Sequence, residues 1–324
     1  MLSRTADAIY WLSRYIERAE NVARFVDVNF TLALDFPDDT VKQWKPLIAT
    51  TGDEEMFAER YDDMNEQNVI QFLTFDRDNP NSVLSCLWFA RENARAVRDT
   101  ISSELWEQVN RFYYLVKNAA GSTPIDSPHE FYAQIKSASH LCTGISESTM
   151  SHTEPWHFAR LGRMLERADK TARILDVKYF MLLPHADYVG SPYDALLWST
   201  LLKSASAFEM YRKRYRAIKP NRVVEFLVLD RHFARSMHFC VNNADVSLRA
   251  ITGSESSTFS NPAEHRLGRL RSEMDYGEIG EIIKDGLHEY LDDFQGKLNE
   301  VGAAISETFF ALKPVAATSS REAK

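Results

Sequence analysis

Apolar residues near the start of the chain follow a three-four spacing that is typical of an amphipathic helix. They are Ile9, Leu12, Ile16, Ala19, Ala23 and Val26. A second series with the same spacing is Phe158, Leu161, Leu165, Ala168, Ala172 and Leu175. Each series predicts a long helix with a packing seam, over residues 5–34 and 154–182, and the alanine pair in each seam would let another helix approach closely.

The other periodic segments also predict helices, separated by short turn-like stretches. They cover residues 40–60, 64–75, 81–101, 102–119, 128–147, 192–217, 221–230, 235–252, 262–274 and 278–311, with breaks expected in the last. Glycine, which disfavours helices, is scarce, with 12 residues in 324. The chain is therefore predicted to be all-α.

Two segments of the chain are similar to each other. When residues 10–28 are aligned with residues 159–177, nine of the 19 positions are identical, whereas chance would give about one. The identical pairs are Leu12/Leu161, Arg14/Arg163, Glu17/Glu166, Arg18/Arg167, Ala19/Ala168, Ala23/Ala172, Arg24/Arg173, Asp27/Asp176 and Val28/Val177. We interpret the similarity as an ancestral duplication.

Later segments align at an offset of 154 instead of 149, which implies a five-residue insertion near 180–192. Trp44 then falls on Trp198 and Cys86 on Cys240. The predicted organisation is a first helical half over 1–149 and a second over 150–312, related by a pseudo-twofold axis. Residues 313–324 are predicted to be a disordered tail.

A helical wheel at about 100° per residue separates a polar sector from an apolar arc on the first repeated helix. Arg18 lies in the apolar arc, and so does Arg167 on the second repeated helix. A buried arginine must be paired, because an unpaired charge is costly away from water. The expected partners come from the other half: Glu166, Asp169 or Asp176 for Arg18, and Glu17, Glu20 or Asp27 for Arg167.

Three interpretations of this pattern remain open. The charges form an ion-pair lattice that holds the halves in register, or a cleft that binds an anionic or zwitterionic ligand, or surface pairs such as Glu20 with Arg24. Glu17 belongs to the polar sector, so it is a better candidate than Arg18 for meeting a ligand or partner. The candidate ligand-binding or partner-binding residues are Arg14, Glu17, Arg18, Glu20, Arg24, Arg163, Glu166, Arg167, Asp169 and Arg173.

These motifs resemble the bacterial alpha-E family, an all-helical domain with Glu-Arg motifs. The similar segments are the N-terminal LSRTADAIYWLSRYIERAENVARFVD, residues 79–110 (NPNSVLSCLWFARENARAVRDTISSELWEQVN) and residues 148–179 (STMSHTEPWHFARLGRMLERADKTARILDVKY). One departure is Ala234-Arg235-Ser236, where the family pattern has Pro-Arg-Ser.

The resemblance implies a functional context. Family members are typically encoded beside, or fused to, circularly permuted ATP-grasp proteins and transglutaminase-like proteins, and ATP-grasp enzymes commonly join a carboxylate to an amine. It therefore implies an accessory or scaffold protein that partners an ATP-grasp amide ligase and has no catalytic activity alone. The alternative is an enzyme, or half of one, in which arginine holds the carboxylate of an amino-acid-like substrate and glutamate meets its amine or acts as base.

Other catalytic or cofactor motifs are incomplete. Neither G-x-x-x-x-G-K-[ST] nor G-x-G-x-x-G occurs, so no cofactor is predicted. Glu154 and His157 form a single E-x-x-H whose counterpart has Thr5 and Ala8 in place of the two ligands, so no metal is expected. Cys86 and Cys240 fall on apolar stretches and are expected to be small core residues.

The charge balance is acidic, with a net charge of −8, which argues against nucleic-acid binding. The basic stretch over 210–219 is interpreted as a solvated helix face, with phosphate binding or an acidic partner surface as alternatives. No apolar run approaches the ~20 residues that span a bilayer, and the N-terminus lacks the features of a signal peptide. We therefore expect a cytoplasmic protein that does not bind a membrane.

Overall fold

The computed structural model of the protein describes residues 1–35, 40–121, 125, 127–182, 192–255 and 258–311. Within these residues the secondary structure consists of α-helices and two short π-helical turns, without strands, so the predicted all-α fold is confirmed. The predicted tail 313–324 and most of the insertion near 180–192 lie outside the described residues. The pseudo-twofold axis and the division into halves stay predictions.

The helices run in chain order through both predicted halves. The first seven are α1 (Ser3–Asp35), α2 (Thr40–Thr51), α3 (Glu54–Arg60), α4 (Glu66–Ile70), α5 (Val83–Ala96), α6 (Ser103–Ala119) and α7 (Pro128–Thr149). The others are α8 (Glu154–Leu182), α9 (Pro192–Ser204), α10 (Phe208–Tyr215), α11 (Pro220–Leu229), α12 (Met237–Thr252), α13 (Pro262–Asp275), α14 (Ile279–Asp285) and α15 (Leu287–Ile305). The π-helical turns, Gln71–Phe75 and Ser306–Phe310, follow α4 and α15.

Two predicted helices are each broken in two, so the prediction of continuous helices over 40–60 and 192–217 was wrong. Gly52, between α2 and α3, has a φ of 78°, and Ser206, between α9 and α10, has a φ of 50°. A residue in this left-handed region cannot continue a right-handed helix. The two breaks are separated by the same offset of 154 that aligns the sequence around them.

The centre of the molecule is formed by α1 and α8, which pack against each other. Around them, α1 also contacts α5 and α7, while α8 contacts α12 and α15. The seam alanines Ala19, Ala23, Ala168 and Ala172 are completely buried. The predicted close approach along this seam is therefore present, and it brings the polar sectors of both helices into the interior.

Serine caps begin α5 and α12, the two helices that pack against α1 and α8. Ser82 accepts a hydrogen bond from the backbone N–H of Ser85 at the start of α5. Ser236 accepts one from Phe239 at the start of α12, which satisfies an N–H that the helix itself cannot use. Within the described residues, no helix combines the length and apolar composition that a membrane span requires.

Replacing Gly162 with alanine should destabilise the contact between α1 and α8. A Cβ at this position would lie 2.4 Å from the backbone oxygen of Tyr10, which has little freedom to move. We expect Gly162→Ala to lower the free energy of unfolding by about 1–3 kcal/mol, as overpacked cores do. Chemical denaturation of the purified variant measures the change.

The matched control is Gly144→Ala in α7, where nothing lies within 4 Å of the added Cβ. Alanine is the better helix former, so this variant should be unchanged or more stable by about 0.5–1 kcal/mol. If both substitutions changed the free energy of unfolding equally, the close approach of α1 and α8 would not restrict the size of the side chain at position 162.

Candidate functional site

The two Glu-Arg motifs pair with each other across the contact between α1 and α8. The glutamate of each motif accepts hydrogen bonds from the arginine of the other. Arg167 donates from Nε to Oε1 of Glu17 at 2.9 Å and from Nη2 to Oε2 at 2.8 Å. Arg18 donates in the same way to Glu166, at 2.6 and 3.1 Å. Both pairs are therefore bidentate, the geometry in which arginine binds a carboxylate most strongly. Of the carboxylates considered for each arginine, Glu166 and Glu17 are the partners.

Both glutamates of the motif are more buried than the arginines they bind. The side chains of Glu17 and Glu166 are 3% and 0% exposed, whereas those of Arg18 and Arg167 are 16% and 14% exposed. Glu17, which the wheel placed in the polar sector, is therefore more buried than Arg18, which it placed in the apolar arc. A wheel identifies a polar sector, but it does not show whether that sector faces water or a second polar sector.

Surrounding arginines keep both glutamates ionised. Burial opposes the charge of Glu17, but Arg167 and Arg235 outweigh it and hold the pKa of this carboxyl below its usual range. Burial likewise opposes the charge of Glu166, and Arg18 and Arg14 hold its pKa well below the ordinary value. Each glutamate therefore acts as a permanent anion in the interior.

Glu17 belongs to a larger buried group that we call the Glu17 cluster. Arg235, in the loop before α12, donates to Glu17 at 3.0 Å and to Glu20 at 2.8 Å. Glu20 also forms an ion pair with Arg24 one helical turn away. The members of the cluster are Glu17, Glu20, Asn21, Arg24, Arg167 and Arg235.

A similar group, the Glu166 cluster, lies around the other motif. Arg14 donates to Glu166 at 2.8 Å, and Asp169 pairs with Lys170 and Arg173, each at 3.0 Å. Its members are Arg14, Arg18, Asn81, Glu166, Asp169, Lys170 and Arg173. Arg163, the sequence equivalent of Arg14, instead pairs with Glu147 at 2.7 Å.

The two clusters contain the same kinds of side chain at exchanged positions. Asn21 of the Glu17 cluster is equivalent in sequence to Lys170, and Arg235 is equivalent to Asn81. Arg235 donates to the Asn21 oxygen at 3.1 Å, and Arg18 donates to the Asn81 oxygen at 2.9 Å. Each cluster thus has one amide and one cation at this pair of positions. The Glu17 cluster has the amide at Asn21 and the cation at Arg235, whereas the Glu166 cluster has the cation at Lys170 and the amide at Asn81.

The spaces beside the clusters differ in size. The cavity lined by Glu17 and Arg163 has a volume of about 20 Å³, enough for about one water molecule. Larger open recesses have volumes of about 270 Å³, beside Arg14 and Asp169, and about 440 Å³, beside Arg24. These recesses are lined by residues that flank the Glu-Arg motifs, not by Glu17 or Glu166.

The loops at the two broken helices face equivalent arginines. A Cβ at Gly52 would lie 3.5 Å from Nη1 of Arg173, and Ser206 accepts a hydrogen bond from Nη1 of Arg24. A left-handed conformation costs an L-residue such as Ser206 about 1–2 kcal/mol. Strain of this kind is retained where the side chain has a use, and here the hydroxyl meets a buried guanidinium.

Cys86 and Cys240 are placed as core residues and not as nucleophiles. Burial raises the pKa of the Cys86 and Cys240 thiols to about 12, and a protonated thiol is a poor nucleophile. Both are completely buried, as the sequence predicted. In the part of the chain that the structure describes, His, Cys, Asp and Glu side chains form no group of three that could hold a metal.

Sequence reasoning missed two sets of contacts around the motifs. Arg235 was noted only as part of a departure from the family pattern, yet it binds two carboxylates of the Glu17 cluster. Asp27, a repeated residue, pairs with His129 at 2.6 Å and with Lys136 at 2.5 Å. The sequence signal for this contact was that aspartate occupies both equivalent positions, 27 and 176. Asp176 also pairs with a histidine, His288, at 2.8 Å.

Comparisons with known proteins agree with this architecture. Residues 1–310 match the model of a family named Alpha-E, described as "a predicted alpha-helical domain with a conserved ER motif". Uncharacterized proteins of Mycobacterium bovis and Mycobacterium tuberculosis are 24% identical over 339 residues, covering 95% of this chain. The chain spans only 37% of the length of each of these relatives. No solved structure matches.

Glu17→Gln and Glu166→Gln should each destabilise the protein strongly. Either change removes a buried anion and leaves at least two guanidiniums without their partner, a loss that amounts to about 3–5 kcal/mol in buried ion pairs. Urea denaturation at neutral pH measures the free energy of unfolding. Glu107→Gln is the control, because its pair with Arg111 is exposed and should contribute less than about 1 kcal/mol. Similar stabilities for all three variants would contradict a structural role for the motif.

The buried glutamates should also make stability depend on acid pH. Their folded-state pKa values lie below the usual value of about 4.3, so their contribution is complete above that value and is lost as pH falls. The wild-type protein should therefore lose stability progressively as the pH falls below about 5. Glu17→Gln should flatten this decline, and an unchanged pH profile in that variant would contradict the assignment.

Proposed function

The chain belongs to the alpha-E family, and on that premise we propose that it is a helical scaffold for an ATP-grasp amide ligase that makes or modifies a peptide-like product. The observation that carries this proposal is the mutual pairing of the two Glu-Arg motifs. Glu17 and Glu166 each bind an arginine of the other motif through two hydrogen bonds. The motif charges hold the central helices together instead of facing a substrate.

The chemistry of the glutamates supports a non-catalytic role. A general base works best when its pKa lies near the operating pH. Arginines hold the pKa values of Glu17 and Glu166 far below that point, against the opposing effect of burial. The space beside Glu17 has a volume of only about 20 Å³, less than an amino-acid-like substrate requires. An enzyme that uses these glutamates as its base is the less supported alternative.

The size of the relatives supports action within a larger assembly. The region aligned with this chain is 37% of each mycobacterial relative, so most of each polypeptide lies outside it. The sequence of this chain has no phosphate-binding loop of the two familiar types. In the proposed assembly the ATP-grasp protein supplies the nucleotide site, and a transglutaminase-like protein is a possible second partner.

Mixing the chain with a circularly permuted ATP-grasp protein, the kind of partner that the family resemblance implies, should give a stable complex. We expect the two proteins to elute together from a size-exclusion column at micromolar concentrations, and light scattering to give the summed mass. An ATP-grasp protein from an unrelated pathway is the control. Separate elution would contradict the scaffold, and so would amide-bond formation by the chain alone.

A further inference from the structure

A recess of about 440 Å³ opens between α1, α7 and the loop that joins α9 to α10. Its wall includes Arg24, a member of the Glu17 cluster, and its lining also includes Lys136, Lys203 and Ser206. The recess is large enough for a small organic ligand. Neither the pairing of the motifs nor the proposed scaffold role uses it.

The Glu17 cluster contains more positive than negative charge. Three guanidiniums (Arg24, Arg167 and Arg235) accompany two carboxylates (Glu17 and Glu20), and both carboxylates are buried. Arginine stays protonated in proteins, so the guanidiniums of the cluster outnumber its carboxylates by one. The nearby carboxylate of Asp27 also acts on the charge of Arg24, but it is paired with Lys136. Buried charge that is not fully balanced is unfavourable, and an anion from outside would reduce the imbalance.

Arg24 is the member of the Glu17 cluster that such an anion would approach from the recess. It is 5% exposed, it lines the recess, and its Nε has no hydrogen-bond partner. Burial, reinforced by Arg235, lowers the pKa of Arg24 well below its ordinary value, which shows that its charge is held at a cost. Its sequence equivalent Arg173 is 26% exposed, so water can hydrate that charge instead.

The rim of the recess provides further cationic groups. The ammonium of Lys203, which is exposed, lies 5.7 Å from the ring centre of Phe208. Lys136, which also lines the recess, pairs with Asp27. Arg212 of α10 is exposed, and its guanidinium lies 5.7 Å from the ring centre of Phe208, which lines the recess. Although Asp27 and Glu209 also line the recess, basic groups around an opening raise the local concentration of anions.

We propose that this recess, which we call the Arg24 recess, is a binding site for the carboxylate or phosphate group of a small ligand. Arg24 attracts the anion from the wall of the recess, where Ser206 holds its guanidinium, and Lys203 contacts the ligand from the rim. The strained conformation of Ser206 then has a use, because the hydroxyl holds Arg24 in place. The proposal is independent of the scaffold role.

The experiment measures stabilisation by anions at constant ionic strength. The melting temperature of the full chain is recorded in chloride, inorganic phosphate, pyrophosphate and succinate at matched ionic strength, and affinities are measured by calorimetry. We expect phosphate compounds or succinate to raise the melting temperature above that in chloride. A response to phosphate and pyrophosphate assigns a phosphoryl ligand, and a response to succinate assigns a carboxylate. Equal melting temperatures in all four salts would overturn the proposal.

Three variants locate the effect. Arg24→Gln should reduce the affinity at least tenfold, and Lys203→Gln, on the exposed rim, should reduce it several-fold without affecting the fold. Arg173→Gln is the matched control and should leave the affinity unchanged. If Arg24→Gln does not fold, Lys203→Gln and Ser206→Gly still test the same recess. Retention of wild-type affinity in Lys203→Gln and Ser206→Gly, or its loss in Arg173→Gln, would overturn the assignment.

Discussion

The two reciprocal Glu-Arg ion pairs between α1 and α8 are the interaction on which the rest of the structure depends. Each central helix contributes a glutamate carboxylate that pairs with arginine of the other helix, and each carboxylate is almost completely buried. An ionised glutamate without its arginine would be strongly unfavourable there. Both helices must therefore pack in one register, because a shift by a single turn would unpair two anions and several cations together.

The seam and the ion pairs constrain each other. Buried alanines and Gly162 let the backbones of α1 and α8 approach, and this approach brings the arginines within bidentate distance of the opposite glutamates. The broken helices and capped loops around them supply additional groups, such as Arg235 and Asn81, to the same clusters. Buried polar networks of this kind are favourable only when nearly every member is satisfied.

The sequence predicted those features that depend on periodicity and repetition. The three-four spacing located α1 and α8, and the duplicated motif limited the partners of Arg18 and Arg167 to a few carboxylates. It did not predict the burial of Glu17, because amphipathicity does not distinguish a polar face in water from one that meets another polar face. Nor did it predict the breaks at Gly52 and Ser206, where a single left-handed residue ends a helix. The role of Arg235 depends on tertiary packing, which periodicity does not contain.

The exchanged amide and cation positions make the two similar segments complementary to each other. Two copies of residues 1–149, joined through the same contacts, would bring Asn21 and Asn81 into both clusters and remove a cation from each. Two copies of the second half would crowd Lys170 and Arg235 around each glutamate. Only the mixed pair has the observed balance of charge. The two segments are therefore complementary and not interchangeable, because each supplies the amide or the cation that the other lacks.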